Sequence, residues 1–204
     1  INADRSFTYA YKGEVYAVDP SAAMSDLSES SDDDKSANKK TTGAAAAKAA
    51  TKQAEADVKN REIATALAKE TGYRSVSYAG KGKFLIDYSL SGVLTHSFVF
   101  PYNSDAEAVF PFIAVELRQG GIVRVKAPGF ANDSSKDKTG GMAGGASTSA
   151  AALLDGTFTI DTNAEFVSQN NEAGVTKAGA RSTVTWRATA LTKDAPTAVL
   201  RLAK

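Results

Sequence analysis

Residues 157–204 read TFTIDTNAEFVSQNNEAGVTKAGARSTVTWRATALTKDAPTAVLRLAK, and this segment decides the fold class. Phe158 and Ile160 alternate with threonine and aspartate, and the residues on either side of Trp186 alternate in the same way. A period of two is typical of a strand with one polar and one apolar face. A third apolar run begins at Val199, and polar turns containing Gly and Asn separate the runs. We therefore expect three strands of one antiparallel sheet.

Residues 44–71 are rich in alanine and lysine and contain neither proline nor glycine. This composition predicts one long helix, and Gly72 stands where a helix C-terminal cap is expected. Ile63 and Leu67 lie one turn apart, so we expect both side chains to face the sheet.

Shorter patterns predict the other elements. Strands are expected in residues 7–18, 73–100, 112–117 and 122–126. The segment 73–100 is long enough for two or three strands, and the last two segments are expected to form a hairpin. Residues 103–110 read as a short capped helix. The polar stretches at about 21–43 and 131–149 lack periodicity and predict disordered inserts. The whole chain, residues 1–204, is thus predicted to be a single α+β domain, a mostly antiparallel β-sheet with one long α-helix packed on it.

Composition excludes several classes of function. The chain carries 24 basic and 23 acidic residues, so no global charge recruits nucleic acid. It has no cysteine, which excludes disulfides and thiol catalysis. No run approaches the roughly 20 apolar residues of a membrane-spanning helix. The sequence starts at Ile1 rather than methionine, and we expect that a leader was removed, so that any membrane attachment is through a removed N-terminal anchor.

The residues that carry catalysis elsewhere are sparse or scattered here. His96 is the only histidine, and no G-x-S-x-G motif accompanies it. One histidine without cysteine cannot build a zinc site, and the acidic cluster at 32–34 does not match a calcium loop. No phosphate-binding glycine motif is present. Arg124 and Lys126 share a strand face and are interpreted as solvent-exposed charges. We therefore predict a protein that is not an enzyme, with no catalytic residue, no metal and no cofactor.

The apolar side chains on the predicted strands suggest a different function. A curved antiparallel sheet covered by one helix can leave an apolar groove that holds a lipid or another apolar small molecule. The side chains expected to contact such a ligand are Phe84, Ile86, Tyr88, Phe98 and Trp186.

Three sequence stretches also carry a family resemblance. A helix ends at GYRSVSY (residues 72–78), GKFLIDYSL follows at 82–90, and the chain closes with STVTWRA at 182–188. This order, with its TVTW strand, resembles the LppM-like domain of bacterial cell-envelope lipoproteins. The resemblance implies an exported protein, periplasmic or on the cell surface, whose fold binds lipid. The alternative is a structural or protein-interaction module of the envelope that uses exposed strand edges or the helix.

Overall fold

The computed structural model describes residues 1–16, 43–101, 112–131 and 153–203, with side chains in the helix described at 51 and from 53 onward. These residues form one α-helix and eleven strands, with two short 3-10 turns. The helix is α1 (Gly43–Leu67). The strands are β1 (Ser6–Tyr16), β2 (Tyr73–Gly80), β3 (Lys83–Val93), β4 (Ser97–Phe100), β5 (Ile113–Arg118), β6 (Ile122–Lys126), β7 (Asp155–Thr162), β8 (Glu165–Gln169), β9 (Thr176–Ala178), β10 (Arg181–Thr189) and β11 (Thr197–Arg201).

The strands form three mostly antiparallel sheets. Two have three strands each, in the orders β1-β3-β2 and β7-β10-β9, and the third has five, in the order β4-β5-β6-β11-β8. With its single helix, the described part of the chain is an α+β or mainly β protein. The antiparallel architecture that the alternating patterns predicted is therefore present.

The helix is shorter than predicted, and the expectation of one long helix is not borne out. It ends at Leu67 rather than at Thr71. The amide N–H groups of Lys69 and Glu70 donate at 3.0 Å to carbonyls three residues earlier, which tightens the chain out of α-helical geometry. Gly72 then takes a φ of +97° and directs the chain into β2.

The helix buries only part of the predicted face, because Leu67 is half-buried but Ile63 is not. Ile63 is 39% exposed, whereas its neighbour Ala64 is buried. The helix packs against β2. Successive helical residues are separated by about 100°, so a face centred on Ala64 turns Ile63 toward solvent.

The chain divides into two compact units. The helix unit comprises residues 9–90, and the two-sheet unit comprises residues 1–8 and 91–204. The single-domain organisation stays a prediction. The predicted inserts, apart from Gly43 and Ala131 at their ends, and the predicted helix at 103–110 lie outside the described residues.

In the two-sheet unit, the strand face around Trp186 forms as the alternation predicted. β10 pairs with β7 so that Trp186 lies opposite Phe158 and Val184 opposite Ile160, and all four side chains are buried. The third apolar run does not join this sheet. β11 pairs instead with β6 and β8 of the five-stranded sheet, where Leu200 is buried opposite its partner on β6. The prediction of one sheet from these three runs is therefore wrong.

The hairpin predicted around residues 119–121 is present. β5 and β6 pair as antiparallel neighbours, and Gly120 and Gly121 both take a φ of +73° in the turn between them. Such a backbone conformation is favourable for glycine and strained for residues with a side chain. Buried valines of these strands, including Val123 and Val125, form the inner face of the five-stranded sheet.

Candidate functional site

The five side chains predicted to contact a ligand lie on three different sheets. Phe84, Ile86 and Tyr88 share the buried face of β3 and are 6–8% exposed. Phe98 is half-buried on β4, and Trp186 is 7% exposed on β10. The structure thus brings together the three residues of β3, where Phe84 packs on Tyr78 and Tyr88 on Tyr73. Their role as ligand contacts stays a prediction.

An open groove lies between α1 and β2 in the helix unit. It encloses about 540 Å³ and is lined mainly by Arg61, Ala64, Ala68 and Lys69 from the helix side and by Val76 and Tyr78 from the strand side. Concave sites for small ligands are commonly about 300–1,000 Å³ and largely apolar with a few polar groups. The volume of this groove falls within that range, but the groove is open to solvent and its lining also includes the polar residues Thr65 and Ser77.

The groove exists because the residues along this side of the helix are small. Ala64 and Ala68 lie four positions apart and therefore occupy the same face of successive turns. The Ala68 amide still donates at 3.0 Å to the Ala64 carbonyl, so the backbone keeps helical geometry just beyond Leu67. A methyl side chain at both positions leaves space beside Val76 that a leucine or isoleucine would fill.

One wall of the groove is fixed by the hydroxyl of Tyr78. This hydroxyl donates to Asp57 Oδ1 at 2.5 Å and accepts from the Gly82 amide at 2.8 Å. The Tyr78 ring packs on Phe84 with 5.1 Å between ring centroids. Hydrogen bonds from Tyr78 and then from Gln53 lower the pKa of the Asp57 carboxyl. The wall is thereby held by a hydrogen bond to an ionised group, which is stronger than a bond between neutral groups.

The charge of the groove lining is positive. Arg61 and Lys69 line it, and none of the other lining residues carries a charge. Both side chains are exposed, so their charged groups are accessible to a ligand. This arrangement favours a ligand with an apolar body and an anionic group.

Strand β2 is also an edge strand. It pairs with β3 on one side and, in the described part of its sheet, has no strand on the other. Val76, Ser77 and Tyr78 are consecutive residues of β2 that line the groove. An edge strand presents unpaired backbone N–H and C=O groups, which another extended segment can pair with.

Among the described residues, the candidates for catalysis are not assembled into a site. His96 is exposed and precedes β4, rather than lying within a strand as predicted. Glu14 and Glu116 form ion pairs with Lys83 and Arg118. Within the described ranges, no three His, Cys, Asp or Glu side chains cluster as metal ligands. The acidic cluster at 32–34 lies outside those ranges.

The groove residues were not singled out by the sequence. The available signal was the pair Ala64 and Ala68, four positions apart in a predicted helix. Arg61 lies three residues before the first alanine, and Lys69 directly follows the second. That signal is weak because the whole helix is rich in alanine and lysine. Only the structure shows which side of the helix lies beside a strand edge, because β2 is at the edge of its sheet and the helix packs against it.

Comparisons with known proteins return no relative. No protein-family model matches the chain, and no curated protein or solved structure matches it either. Within the described residues, no helix is both long enough and apolar enough to cross a membrane.

Proposed function

We propose that this chain is a non-catalytic binding protein of the bacterial cell envelope whose ligand is an anionic lipid or a similar amphiphile. The observation that carries the proposal is the open groove between α1 and β2. It combines an apolar lining, Ala64, Ala68 and Val76, with two cations, Arg61 and Lys69.

The chemistry of the lining favours an amphiphile over a fully polar ligand. An acyl chain lying on the two alanines and Val76 would remove apolar surface from water, which contributes about 25 cal/mol per Å² buried. A phosphate or carboxylate head group would lie near Arg61 or Lys69 and accept charge-assisted hydrogen bonds. A groove open to solvent leaves part of the ligand exposed, as a protein that exchanges lipid with a membrane requires.

The assignment to the envelope rests on the sequence. The segments GYRSVSY, GKFLIDYSL and STVTWRA resemble LppM-like lipoprotein domains, which implies export to the periplasm or cell surface. Val76 and Tyr78 of the GYRSVSY segment lie on β2 and line the groove. Fractionation of the native host with an antibody against the chain tests the location, and recovery in the cytosol would contradict it.

The first experiment is native mass spectrometry of the purified chain, followed by organic extraction and lipid analysis. We expect a bound lipid at near-stoichiometric amount and anionic in class. An apo mass, together with an unchanged melting temperature across a panel of phosphatidylglycerol, phosphatidic acid and phosphatidylcholine, would reject the proposal.

Two matched variants locate the ligand. Ala68→Trp fills the groove, whereas Ala66→Trp places the same bulk at an exposed helix position outside the lining. We expect the first to abolish lipid retention and the second to keep it. Equal retention by both variants would place the lipid elsewhere on the chain.

The edge of β2 favours a second candidate, a protein-interaction module. An extended peptide could pair with the backbone of β2 and place its side chains along α1, a known mode of peptide recognition. Absence of lipid in the first experiment, with capture of a defined extended peptide that Ala68→Trp blocks, would favour this alternative.

A further inference from the structure

A second depression lies on the polar face of the five-stranded sheet, in the two-sheet unit. It encloses about 300 Å³ and spans strands β6, β11 and β8. Two cations, Arg124 and Lys126, line it from β6, and two hydroxyl side chains, Thr197 and Ser168, line it from β11 and β8.

The strand register places these four side chains as neighbours. Lys126 lies opposite Thr197, and Arg124 lies opposite Val199. Val199 in turn lies opposite Ser168 on β8. Residues two apart on a strand point to the same face about 7 Å from one another, so the two cations stand side by side. The floor between cations and hydroxyls is formed by Val199.

The other charges of this face are already paired. Glu116 forms an ion pair with Arg118, and Glu165 forms one with Arg201 at 3.0 Å. No carboxylate of the described residues forms an ion pair with Arg124 or Lys126.

Glu116 is the carboxylate nearest to the two cations by register, because it lies opposite Arg124 on β5. The pKa of Glu116 is lowered first by its hydrogen bond from Arg118, and Arg124 and Lys126 add weaker electrostatic contributions in the same direction. The Glu116 carboxylate is therefore hydrogen-bonded to Arg118, and it compensates only part of the two positive charges, which form no ion pair of their own among the described residues.

The rim of the depression is held in place by Asn170. Its Oδ1 accepts from the Thr197 amide at 2.9 Å and from the Trp186 indole at 3.0 Å, and its Nδ2 donates to the Ala195 carbonyl at 2.8 Å. With these bonds, Asn170 fixes the start of β11, and with it Thr197. A site built on paired strands and such a rim loses little freedom when it binds a ligand.

We propose that Arg124, Lys126, Ser168 and Thr197 form a binding site for a phosphate-type oxyanion. A phosphate group carries close to two negative charges and several acceptor oxygens, which match two cations and two hydroxyl donors. The planar guanidinium of Arg124 suits a bidentate contact to two phosphate oxygens. The phosphate could belong to a free phosphate ion or to a lipid head group.

The test is a titration of the whole chain with inorganic phosphate, followed by isothermal calorimetry and by amide NMR shifts. The test variant is R124Q/K126Q. The control variant is K177Q/K193Q, which removes the same charge from two exposed lysines of the same unit outside the depression. We expect saturable binding that weakens at least about tenfold in the test variant, and stays unchanged in the control.

A second arm separates the two sources of phosphate. Vesicles of phosphatidylcholine with and without phosphatidylglycerol are tested in a chain that carries Arg61→Gln and Lys69→Gln, so that the groove of the helix unit does not contribute its charges. Binding of phosphate but not of vesicles assigns a free phosphate ion as the ligand. Binding of phosphatidylglycerol vesicles but not of phosphate assigns a lipid head group. In either case, R124Q/K126Q must abolish the binding.

Three results would overturn the proposal: no saturable binding in both arms, equal binding by wild type and test variant, or equal losses in test and control variants. The last result would show a diffuse charge effect rather than a site. If R124Q/K126Q lowers the melting temperature enough to unfold, the variant S168A/T197V replaces it. That variant keeps the charges and removes the hydroxyl donors, and unchanged affinity would then reject the site.

Discussion

Tyr78 on β2 donates a 2.5 Å hydrogen bond to Asp57 on α1. The bond joins strand to helix beside the groove. Among the described residues, it is the shortest side-chain hydrogen bond between α1 and β2. The Asn60 amide donates to the same hydroxyl at 3.4 Å. The position of the helix on its sheet therefore depends on one phenol group as well as on the burial of Ala64.

Removing that phenol oxygen should loosen the helix. We expect Tyr78→Phe to raise the hydrogen-exchange rates of α1 amides and to lower the urea midpoint of the helix unit, because Asp57 and the Gly82 amide lose their partner. The control is Tyr16→Phe, which removes an exposed hydroxyl bonded to Glu14 at 3.1 Å. Equal exchange rates in both variants would show that packing alone holds the helix.

The same bond gives this effect a pH dependence. Because hydrogen bonds from Tyr78 and then Gln53 lower the pKa of Asp57 from its ordinary value of 3.8, the stabilisation is present above that value. It is lost as the pH falls through the lower folded-state pKa. The difference in urea midpoint between wild type and Tyr78→Phe should therefore shrink in strong acid, and a constant difference would contradict this origin.

Gly72 is expected to be the least replaceable glycine of the helix unit. It has a φ of +97°, and an added Cβ would lie 2.6 Å from Cε2 of Tyr88. Gly72→Ala should therefore destabilise through both backbone strain and overlap, by roughly 2–5 kcal/mol. The measurement is urea unfolding followed by circular dichroism.

Gly80 provides the control for backbone strain alone. Its φ is +88°, and an added Cβ would meet nothing within 4 Å. Gly80→Ala should cost about 1–2 kcal/mol. A loss at Gly72 no larger than the loss at Gly80 would show that Tyr88 moves aside.

Asn170 should be a stability determinant of the two-sheet unit. Asn170→Ala leaves the Trp186 indole, the Thr197 amide and the Ala195 carbonyl without this partner. We expect a loss of about 1–3 kcal/mol, chiefly because the partly buried indole N–H loses its partner, whereas the other two bonds are exposed and water can replace them. Since Trp186 is the only tryptophan, its fluorescence reports on unfolding of this unit.

Asn163 offers a comparison for that measurement. Its Oδ1 accepts from the exposed Ala3 amide at 2.7 Å, and water can replace this bond. Asn163→Ala should change the free energy of unfolding by less than about 1 kcal/mol. Similar losses at the two positions would mean that Asn170 acts as an ordinary surface residue.

Alkaline pH should destabilise the helix unit. Burial raises the pKa of Tyr11 to about 12, with a smaller contribution from Glu14, and burial followed by neighbouring tyrosines raises the pKa of Tyr9 further. A raised pKa means that the folded state binds the phenolic proton more tightly than the unfolded state does. The resulting stability is complete below the ordinary value of 10.0 and is lost as the pH rises toward 12 and beyond.

Phenolate absorbance at 295 nm checks this expectation. A late ionisation step should accompany loss of the circular dichroism signal, and Tyr11→Phe combined with Tyr9→Phe should reduce that step, since burial also raises the pKa values of Tyr73 and Tyr88. Ionisation of all tyrosines in one step near pH 10, before any unfolding, would contradict it.

Local pattern predicted the strands well. The alternation from Phe84 to Tyr88 gives the buried face of β3, and the alternation around Trp186 gives that of β10. Both follow from a period of two that one strand carries by itself. The turn glycines at 120 and 121 were likewise visible, because a positive φ is a local requirement.

Pairing between distant segments was not predictable in the same way. Residues 197–201 have the composition of a strand, but nothing in them specifies pairing with β6 and β8 rather than with β10. The choice depends on how all strands together bury their apolar faces. The short strands β8 and β9 were missed for a different reason. Most of their residues are exposed, so they carry little alternation between polar and apolar side chains.

The sequence by itself determined the antiparallel strands, their buried faces, the turn glycines and the start of β2 after Gly72, because each depends on neighbouring residues. The tertiary structure alone decided which face of α1 is buried, how eleven strands divide among three sheets, and where Arg61 and Lys69 lie beside Val76 and Tyr78. These features depend on contacts between residues far apart in the chain, and an alanine-rich helix offers several nearly equivalent faces. Only packing against β2 selected the one centred on Ala64.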